Sequence, residues 1–384
     1  MAGWHGLEAA PPPPRRTEIT SERELQEVLG TGGDLRGRRI QGLDLRPVEP
    51  LLRAGRDLTG LVVLGGIVPH GLAVHLQESG ALVFPTDTSA PVDPYRARLY
   101  RPEELYVGLS SGGYDVTPDA RAYHWYRDAR LAHDVHVTML RAIHDDSMSD
   151  ALDEVLDGAR VVGVMGGHAL RRGTTEYAAA ARLGHELASE GLVVLTGGGP
   201  GAMEAANLGA WIRDPADLAG SLRTLATVPD FGADPTAWAA TALEVRSRLR
   251  PRYFPVVDDQ ARVRSLGIPT WFYGHEPPNV FCDGIAKYFS NALREEGLIS
   301  RCSAGIVVLP GAAGTVQEVF QAVTPMFYAD SGAAIPPLVL VGRDHWIRTI
   351  PVWKTLESLA RGRSMAAQVR LVDDVTQVRA ELAR

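Results

Sequence analysis

Residues 161–201 have the sequence VVGVMGGHALRRGTTEYAAAARLGHELASEGLVVLTGGGPG, and this stretch decides the fold class. Val161–Met165 is a continuous apolar run, which is typical of a strand buried inside a parallel sheet. A glycine loop, a helical stretch over about 174–190 and a second apolar run, Leu192–Thr196, follow in that order. Strand, loop, helix and strand form a βαβ unit, so the sequence predicts an α/β fold, a parallel sheet with helices on both faces.

The same alternation continues toward the C-terminus. Further strands are predicted at Gly305–Leu309, Pro337–Val341 and Val369–Val372, and a helix is predicted around 285–296. We therefore assign residues 151–384 to one α/β domain. Ligands of such sheets bind at the carboxyl ends of the strands, so the loops that follow the strands are the expected place for a site.

The N-terminal part of the chain has a different character. Residues 1–18 include four consecutive prolines, Pro11–Pro14, which predict a disordered leader. Residues 19–150 are predicted to form a small accessory module. Two similar fragments, Leu43–Leu45 and Leu58–Leu61, hint at a solenoid-like turn, although two copies are too few to establish a repeat.

Lysine is nearly absent from the chain. Of its 39 basic residues only Lys287 and Lys354 are lysines, and 46 acidic residues give a net charge of −7. No Gly-Lys pair exists, which excludes a Walker-type phosphate loop. The two cysteines, Cys282 and Cys302, form neither a zinc pattern nor a disulfide framework. We expect no cofactor and no metal.

Charge and hydropathy patterning limit the partners. No run of eighteen apolar residues and no hydrophobic leader is present, which predicts a cytoplasmic protein without a membrane partner. The negative net charge and the lack of a basic-aromatic stripe argue against nucleic acid. The best counter-evidence is an arginine series with alternate spacing, which would share one face if the segment were extended: Arg246, Arg248, Arg250 and Arg252.

Three glycine-rich loops follow predicted strands: Gly166–His168, Gly197–Gly201 and Pro310–Gly314. Each precedes a predicted helix, whose free backbone N–H groups and dipole favour an anion. One such loop is weak evidence, but three at one edge of a sheet predict a nucleotide-phosphate or phosphosugar site. None has the spacing of a dinucleotide-binding loop, so an NAD site is not expected.

Two of these loops carry a resemblance to a known family. The segments 197–204, GGGPGAME, and 310–318, PGAAGTVQE, are similar to the signature of the lonely guy (LOG) family, once labelled lysine-decarboxylase-like. The resemblance covers about 150–375. The insertion at 214–276 and the sequence EPPN at 276–279 look more like the long bacterial branch, the nucleotide 5′-monophosphate nucleosidases.

The resemblance implies a Rossmann-like fold and an N-glycosidase rather than a lysine decarboxylase. Such an enzyme hydrolyses a nucleoside 5′-monophosphate, here an AMP-like substrate, to free base and ribose 5-phosphate. It also implies a homodimer or a larger homo-oligomer.

Roles for individual residues follow from the same resemblance. Glycosidic cleavage passes through an oxocarbenium-like state that a carboxylate stabilises. Glu318 matches the signature's final glutamate and is the predicted catalytic carboxylate, with Arg294 as its catalytic partner, whereas Tyr177 is expected to pack. The residues predicted to bind substrate or its phosphate are Gly167, His168, Gly198, Gly199, Gly201, Met203, Glu204, Asn279, Arg301, Gly311, Gly314 and Thr315.

The sequence also departs from the family pattern. The family arginine position is occupied here by Glu295, with Arg294 one residue earlier, which is a turn of about 100° on a helix. Ala312 replaces a signature glycine, and Gln317 replaces an acidic residue. In addition, Thr315 and Glu318 have the spacing of a capping box, which would give Glu318 a purely structural role.

Three hypotheses of function therefore remain open. The first is the nucleosidase. The second is a non-catalytic nucleotide sensor or regulator that uses the same phosphate loops. The third is a single-stranded DNA-binding protein, which the net charge disfavours.

Overall fold

The computed structural model describes residues 18–253, 263–272, 276–330 and 332–383. They belong to two compact units, Met1–Arg98 with Met139–Asp150, and Leu99–Thr138 with Ala151–Arg384. The predicted leader lies outside the described residues except for Glu18. No helix among the described residues combines the length and the apolar character that crossing a membrane requires.

The first unit contains a four-stranded parallel sheet whose strands lie side by side in chain order. The strands are β1 (Glu18–Ile19), β2 (Arg39–Gln41), β3 (Val62–Leu64) and β4 (Leu82–Phe84). Helices α1 (Glu22–Gly30), α2 (Glu49–Leu52) and α3 (His70–Glu78) lie between successive strands.

The pairing of these strands repeats at a nearly constant interval, as in a solenoid. Glu18 pairs with Arg39, Arg39 with Val62 and Val62 with Leu82, so successive turns are roughly 20 residues long. The two fragments that hinted at a solenoid-like turn belong to this series. A single apolar core fills it, formed mainly by leucines from the strands, helices and turns.

The second unit contains a seven-stranded sheet in the order β11-β10-β9-β5-β6-β7-β8, and all its neighbouring strands pair in parallel. The strands are β5 (Val161–Met165), β6 (Val193–Thr196), β7 (Ser265–Gly267), β8 (Gly284–Ile285), β9 (Gly305–Val308), β10 (Leu338–Val341) and β11 (Val369–Val372). This confirms the predicted fold class, a Rossmann-like parallel sheet covered by helices.

The remaining helices have the following bounds: α4 (Pro102–Leu105), α5 (Leu109–Gly112), α6 (Pro118–Arg127), α7 (Val135–Leu156), α8 (Thr175–Ser189), α9 (Ala202–Trp211), α10 (Pro215–Leu225), α11 (Pro235–Tyr253), α12 (Asn291–Ser300), α13 (Ala313–Tyr328), α14 (Trp353–Ala360) and α15 (Val378–Leu382). The insertion at 214–276 thus holds two of these helices, α10 and α11. The helix expected around 285–296 is wrong at its start. Gly284–Ile285 is strand β8, and α12 begins only after Ser290, whose side chain accepts a hydrogen bond from Leu293 N.

Leu99–Thr138 is part of the second compact unit, whereas Met139–Asp150 is part of the first. Tyr100 forms an antiparallel bridge with Ile285. Asp119 accepts a hydrogen bond from the indole of Trp271 at 3.0 Å and pairs with Lys287 at 2.6 Å. Both partners of that ion pair are about 1% exposed, and burial lowers the pKa of Lys287.

The arginine series of α11 does not form a single extended face. Arg246, Arg248 and Arg250 lie on a helix, where alternate residues point in different directions. Arg246 is buried, and it donates to Glu103 at 2.8 Å and to the carbonyl of Val280 at 2.9 Å. The side chain of Arg252 falls outside the described residues.

Candidate functional site

A cavity of about 520 Å³ opens where strands β5, β9 and β10 end. Its walls come from two of the three predicted glycine loops together with residues of helices α9, α12 and α13. The lining residues are Gly166, Gly167, His168, Ala169, Leu170, Met203, Glu276, Arg294, Glu295, Pro310, Gly311, Ala312, Ala313, Gly314, Thr315, Glu318 and His345.

A larger cavity of about 770 Å³ lies elsewhere in the second unit, along α12, α13 and the segment before β10. Its lining is mostly apolar, and Glu296 is the one charged side chain among the described residues that form it. The glycine loops do not contribute to it. None of its described lining residues is basic, and the smaller cavity, which the glycine loops do line, is therefore the candidate site.

The N-terminus of α13 forms one wall of the candidate site. The helix begins at Ala313 with Ala312 as its N-cap residue, and there is neither a side-chain cap nor an acidic residue in its first turn. The first backbone N–H groups of a helix have no partner within the helix, and they carry the positive end of its dipole. This wall is therefore suited to an anion.

The loop before α13 explains which signature glycines matter. A Cβ at Gly311 would overlap the side chain of Thr315, so the close approach of the loop to its own helix requires glycine. Ala312 has φ −111° and ψ −147°, which an L-residue can adopt, so alanine is accommodated where the family has glycine. At Gly314 a Cβ would meet nothing within 4 Å.

The expected capping box between Thr315 and Glu318 is not formed. Thr315 is the third residue of α13 rather than its N-cap. The side chain of Glu318 instead lies on the cavity side of the helix, where it accepts a hydrogen bond from Arg294 at 3.3 Å. Glu318 therefore contacts α12 through Arg294 and does not cap the start of its own helix.

Arg294 reaches the cavity despite the one-residue shift from the family position. Its Nη1 donates to Glu295 at 2.7 Å and to Glu318 at 3.3 Å. Its Nε donates to the carbonyl of Ile268 at 2.8 Å, and its Nη2 to that of Gly197 at 3.4 Å. A Cβ at Gly197 would overlap Nη2, so the absence of a side chain there gives the guanidinium its path.

Burial dominates the electrostatics of Glu318. It raises the pKa of this carboxyl to about 7; Arg294 opposes the shift and the neighbouring Glu295 adds to it. The group is therefore close to half protonated at neutral pH. A carboxyl with such a pKa can either donate or accept a proton at physiological pH.

Glu295 is a cavity residue that sequence reasoning treated only as a lost arginine. It is 2% exposed, and its Oε1 accepts the hydrogen bond from Arg294 at 2.7 Å. Its Oε2 is buried and has no hydrogen-bond partner among the described residues.

Two histidines, His168 and His345, also line the cavity. The sequence predicted His168 as a binding residue but did not identify His345. His168 is half exposed, and its Nδ1 lies 3.2 Å from a carboxylate oxygen of Glu276. His345 lies four residues beyond the end of β10 at Val341, and its Nε2 lies 2.9 Å from the carbonyl oxygen of Gly311, which accepts the hydrogen bond. The position of His345 after a parallel strand was the signal that could have pointed to it.

The glycines of the loop after β6 do not line the cavity themselves. They allow the residues that do line it to approach closely. Gly198 and Gly201 have φ of +70° and +74°, which favour glycine. A Cβ at Gly201 would come within 2.5 Å of the carbonyl oxygens of Gly167 and His168. A Cβ at Gly199 would lie 2.9 Å from Met203 Cε, and Met203 itself lines the cavity.

Besides these glycines, three further predicted binding residues lie away from the cavity lining: Glu204, Asn279 and Arg301. Glu204 is fully buried, and both of its oxygens accept hydrogen bonds from Arg172, at 2.5 and 2.9 Å, while the hydroxyl of Tyr177 donates at 2.8 Å. We therefore interpret Glu204 as a structural residue whose polar capacity is already used.

Asn279 and Arg301, the other two, have internal partners as well. The side-chain amide of Asn279 donates to the carbonyl of Gly199 at 3.1 Å, which fixes the glycine loop. Arg301 donates to Asp153 at 2.7 Å and to the carbonyl of Gly297 at 3.0 Å. None of these three partners lines the cavity.

Comparison with known proteins finds a family match for one segment of the second unit. Residues 159–215 match the SLOG cluster4 family (LDcluster4). This segment contains β5, α8, β6 and the first two glycine loops, and the match confirms the resemblance to the LOG-like Rossmann family. No curated protein matches the chain.

Among solved structures, the chain is similar to the molybdenum cofactor binding protein from the phototrophic bacterium Rippkaea orientalis. The identity is 18%, the TM-score is 0.35, and the alignment covers 59% of this chain and 96% of the other. It is also similar to the molybdenum cofactor carrier protein from Chlamydomonas reinhardtii, with 19% identity, a TM-score of 0.34, and coverage of 59% and 99%.

Proposed function

We propose that the chain is a binding protein for a small phosphate-bearing ligand of the nucleotide or phosphosugar class. The phosphate is held at the N-terminus of α13, and the remainder of the ligand occupies the 520 Å³ cavity. The observation that carries this proposal is the uncapped start of α13, which faces the cavity with no acidic residue in its first turn.

The contacts of Arg294 favour binding without chemistry. Its guanidinium donates to two carboxylates and two backbone carbonyls, so it has little capacity left for a substrate. Glu318 faces this guanidinium, and its pKa near 7 keeps it partly neutral. Stabilising an oxocarbenium-like state requires an ionised carboxylate that faces the sugar.

Calorimetry with inorganic phosphate, ribose 5-phosphate and AMP tests the proposal. We expect saturable binding of inorganic phosphate and tighter binding of one of the larger ligands, since they fill more of the cavity. Chromatography of the same AMP mixtures should show no free base. Failure of all three ligands to bind to folded protein would contradict the proposal.

A second candidate is hydrolysis of the N-glycosidic bond of a nucleoside 5′-monophosphate. Two observations favour it: Arg294 and Glu318 meet in the cavity at 3.3 Å, and a pKa near 7 suits a general acid or base. Release of base from any common nucleoside monophosphate by the wild type, abolished by Glu318→Gln, would establish this activity. It would also replace the binding-only proposal.

Self-association is a further part of the proposal. The family resemblance implies a homodimer or a larger assembly of identical chains. Sedimentation equilibrium checks this directly, and a monomer at all concentrations would contradict it.

A further inference from the structure

A groove between α10 and α11 carries two arginines that are not neutralised by the protein itself. The groove has a volume of about 460 Å³ and shares no lining residue with the candidate site. Arg223 enters it from α10 and Arg248 from α11. Both side chains are exposed, and neither forms a hydrogen bond or an ion pair with a residue that the structure describes.

Arg248 lines the groove although an acidic residue stands close to it on its own helix. Glu244 lies four residues earlier on α11, a spacing at which opposite charges meet on a helix surface. Elsewhere in the chain, Arg53 pairs with Glu49 at this spacing, at 2.9 Å. Arg248 forms no such pair with Glu244, so its charge is available to a partner in the groove.

Arg223 lies beside a position that has no side chain. A Cβ at Gly220 would meet only Nη2 of Arg223 within 4 Å, at 4.0 Å, so the glycine leaves room in the groove next to this cation. Asp217 is the one carboxylate among the described lining residues, and it already accepts a hydrogen bond from the hydroxyl of Tyr253 at 2.8 Å. Two arginines against one carboxylate give the groove a net positive charge.

This arrangement favours carboxylates that are carried by another protein. Guanidinium groups bind carboxylates through paired N–H donors, and arginine clusters recognise acidic motifs. One exposed ion pair contributes little, so a free anion would bind weakly, whereas a peptide with several carboxylates engages both arginines at once. No aromatic side chain lies among the described lining residues, so the bases of a nucleic acid have nothing there on which to stack.

We propose that the groove between α10 and α11 is a docking surface for an acidic peptide segment of a partner protein. Arg223 and Arg248 pair with its carboxylates, and the absent side chain of Gly220 lets the peptide lie against α10. This inference is independent of the proposed phosphate-binding function, because it concerns a different surface with different residues.

Fluorescence anisotropy with the full chain and a labelled peptide of alternating glutamate and alanine tests the proposal. The matched probe has glutamine in place of each glutamate. The wild type should bind the acidic peptide at least about fivefold more tightly than the matched probe, as expected for two exposed ion pairs. Arg223→Gln combined with Arg248→Gln should abolish this preference.

Arg23→Gln combined with Arg361→Gln is the matched control. It removes the same charge from two exposed positions outside the groove, and it should keep the wild-type preference. Gly220→Met separates docking from a general attraction between charges. It retains both arginines but places a side chain in the groove, and methionine suits a helix better than glycine does. We expect this variant to bind the acidic peptide at least about fivefold more weakly than the wild type.

Three results would overturn the inference. The first is no binding of the acidic peptide to the wild type, or equal affinity for the two peptides. The second is an unchanged preference in the double variant of Arg223 and Arg248, or unchanged affinity in Gly220→Met, with circular dichroism showing that each variant is folded. The third is tighter binding of an oligothymidylate than of the acidic peptide, which would assign the groove to nucleic acid.

Discussion

Nη1 of Arg294 lies 2.7 Å from Glu295 and 3.3 Å from Glu318, so a single guanidinium joins α12 to α13 at the floor of the cavity. The sequence placed Arg294 one position away from the family arginine. In the structure its side chain compensates by passing over Gly197 and anchoring on two backbone carbonyls. The site therefore keeps an arginine next to the signature glutamate, with a second carboxyl added beside it.

Gly197→Ala tests the path of Arg294. The added methyl would overlap Nη2 of Arg294 and would lie 2.8 Å from Met203 Sδ, so we expect a loss of about 1–3 kcal/mol in the free energy of unfolding. Urea denaturation measures it. Gly314→Ala is the control, because its methyl would enter open space and should be neutral or stabilising. Equal stability of the two variants would contradict the described path.

The raised pKa of Glu318 predicts a dependence of stability on pH. Its pKa is about 7 when folded, against an ordinary value of 4.5, so folding favours the protonated form. The resulting stabilisation is fully present below about pH 4.5 and is lost as the pH rises through 7.

Glu318→Gln should remove this dependence. Between pH 5 and 8 the wild type should lose up to about 3 kcal/mol more unfolding free energy than the variant does. Parallel urea titrations at several pH values measure the difference. Identical slopes for the two proteins would show that Glu318 titrates at its ordinary pKa.

Glu204→Gln distinguishes a structural role from a ligand-binding one. Glu204 pairs with Arg172 where both side chains are 1% exposed or less, so neutralising it leaves a buried cation without its counter-charge. We expect a loss of about 3–5 kcal/mol in unfolding free energy, with phosphate affinity unchanged in the folded protein. Glu176→Gln, at an exposed position of α8, is the control. Weaker phosphate binding by a variant as stable as the wild type would indicate that Glu204 contacts the ligand instead.

The two lysines of the chain form a natural pair of variants. Lys287→Met removes the partner of buried Asp119 and should cost about 3–5 kcal/mol of unfolding free energy. Lys354 is exposed, so Lys354→Met should change stability by less than about 0.5 kcal/mol. Similar effects of the two substitutions would contradict the assignment of Leu99–Thr138 to the second unit.

The sequence was sufficient to predict those elements that depend on a local pattern of residues. The helix expected over about 174–190 is α8, Thr175–Ser189, because Thr174 caps it and its apolar spacing is regular. The two glycine loops that line the cavity directly follow β5 and β9, and the sequence predicted both of them. These features depend on neighbours in the sequence, which is why they could be recognised.

Features that depend on distant partners could not be recognised. The ion pair between Asp119 and Lys287 joins residues that are far apart in the sequence, and no local pattern predicts it. The direction of Arg294 depends on the missing side chain at Gly197, almost a hundred residues earlier. Glu204 lies in the first turn of α9 at the end of a glycine loop, and only the structure shows that it is buried against Arg172.

The proposed anion site at the uncapped start of α13 can be tested directly with two substitutions of Gly314. Gly314→Asp places a carboxylate in that first turn, where its Cβ would meet nothing within 4 Å, and Gly314→Asn adds the same shape without the charge. Calorimetric titration with inorganic phosphate measures both. We expect the asparagine variant to bind phosphate nearly as the wild type does, and the aspartate variant to bind it at least about tenfold more weakly. Equal affinity of the two variants would contradict it.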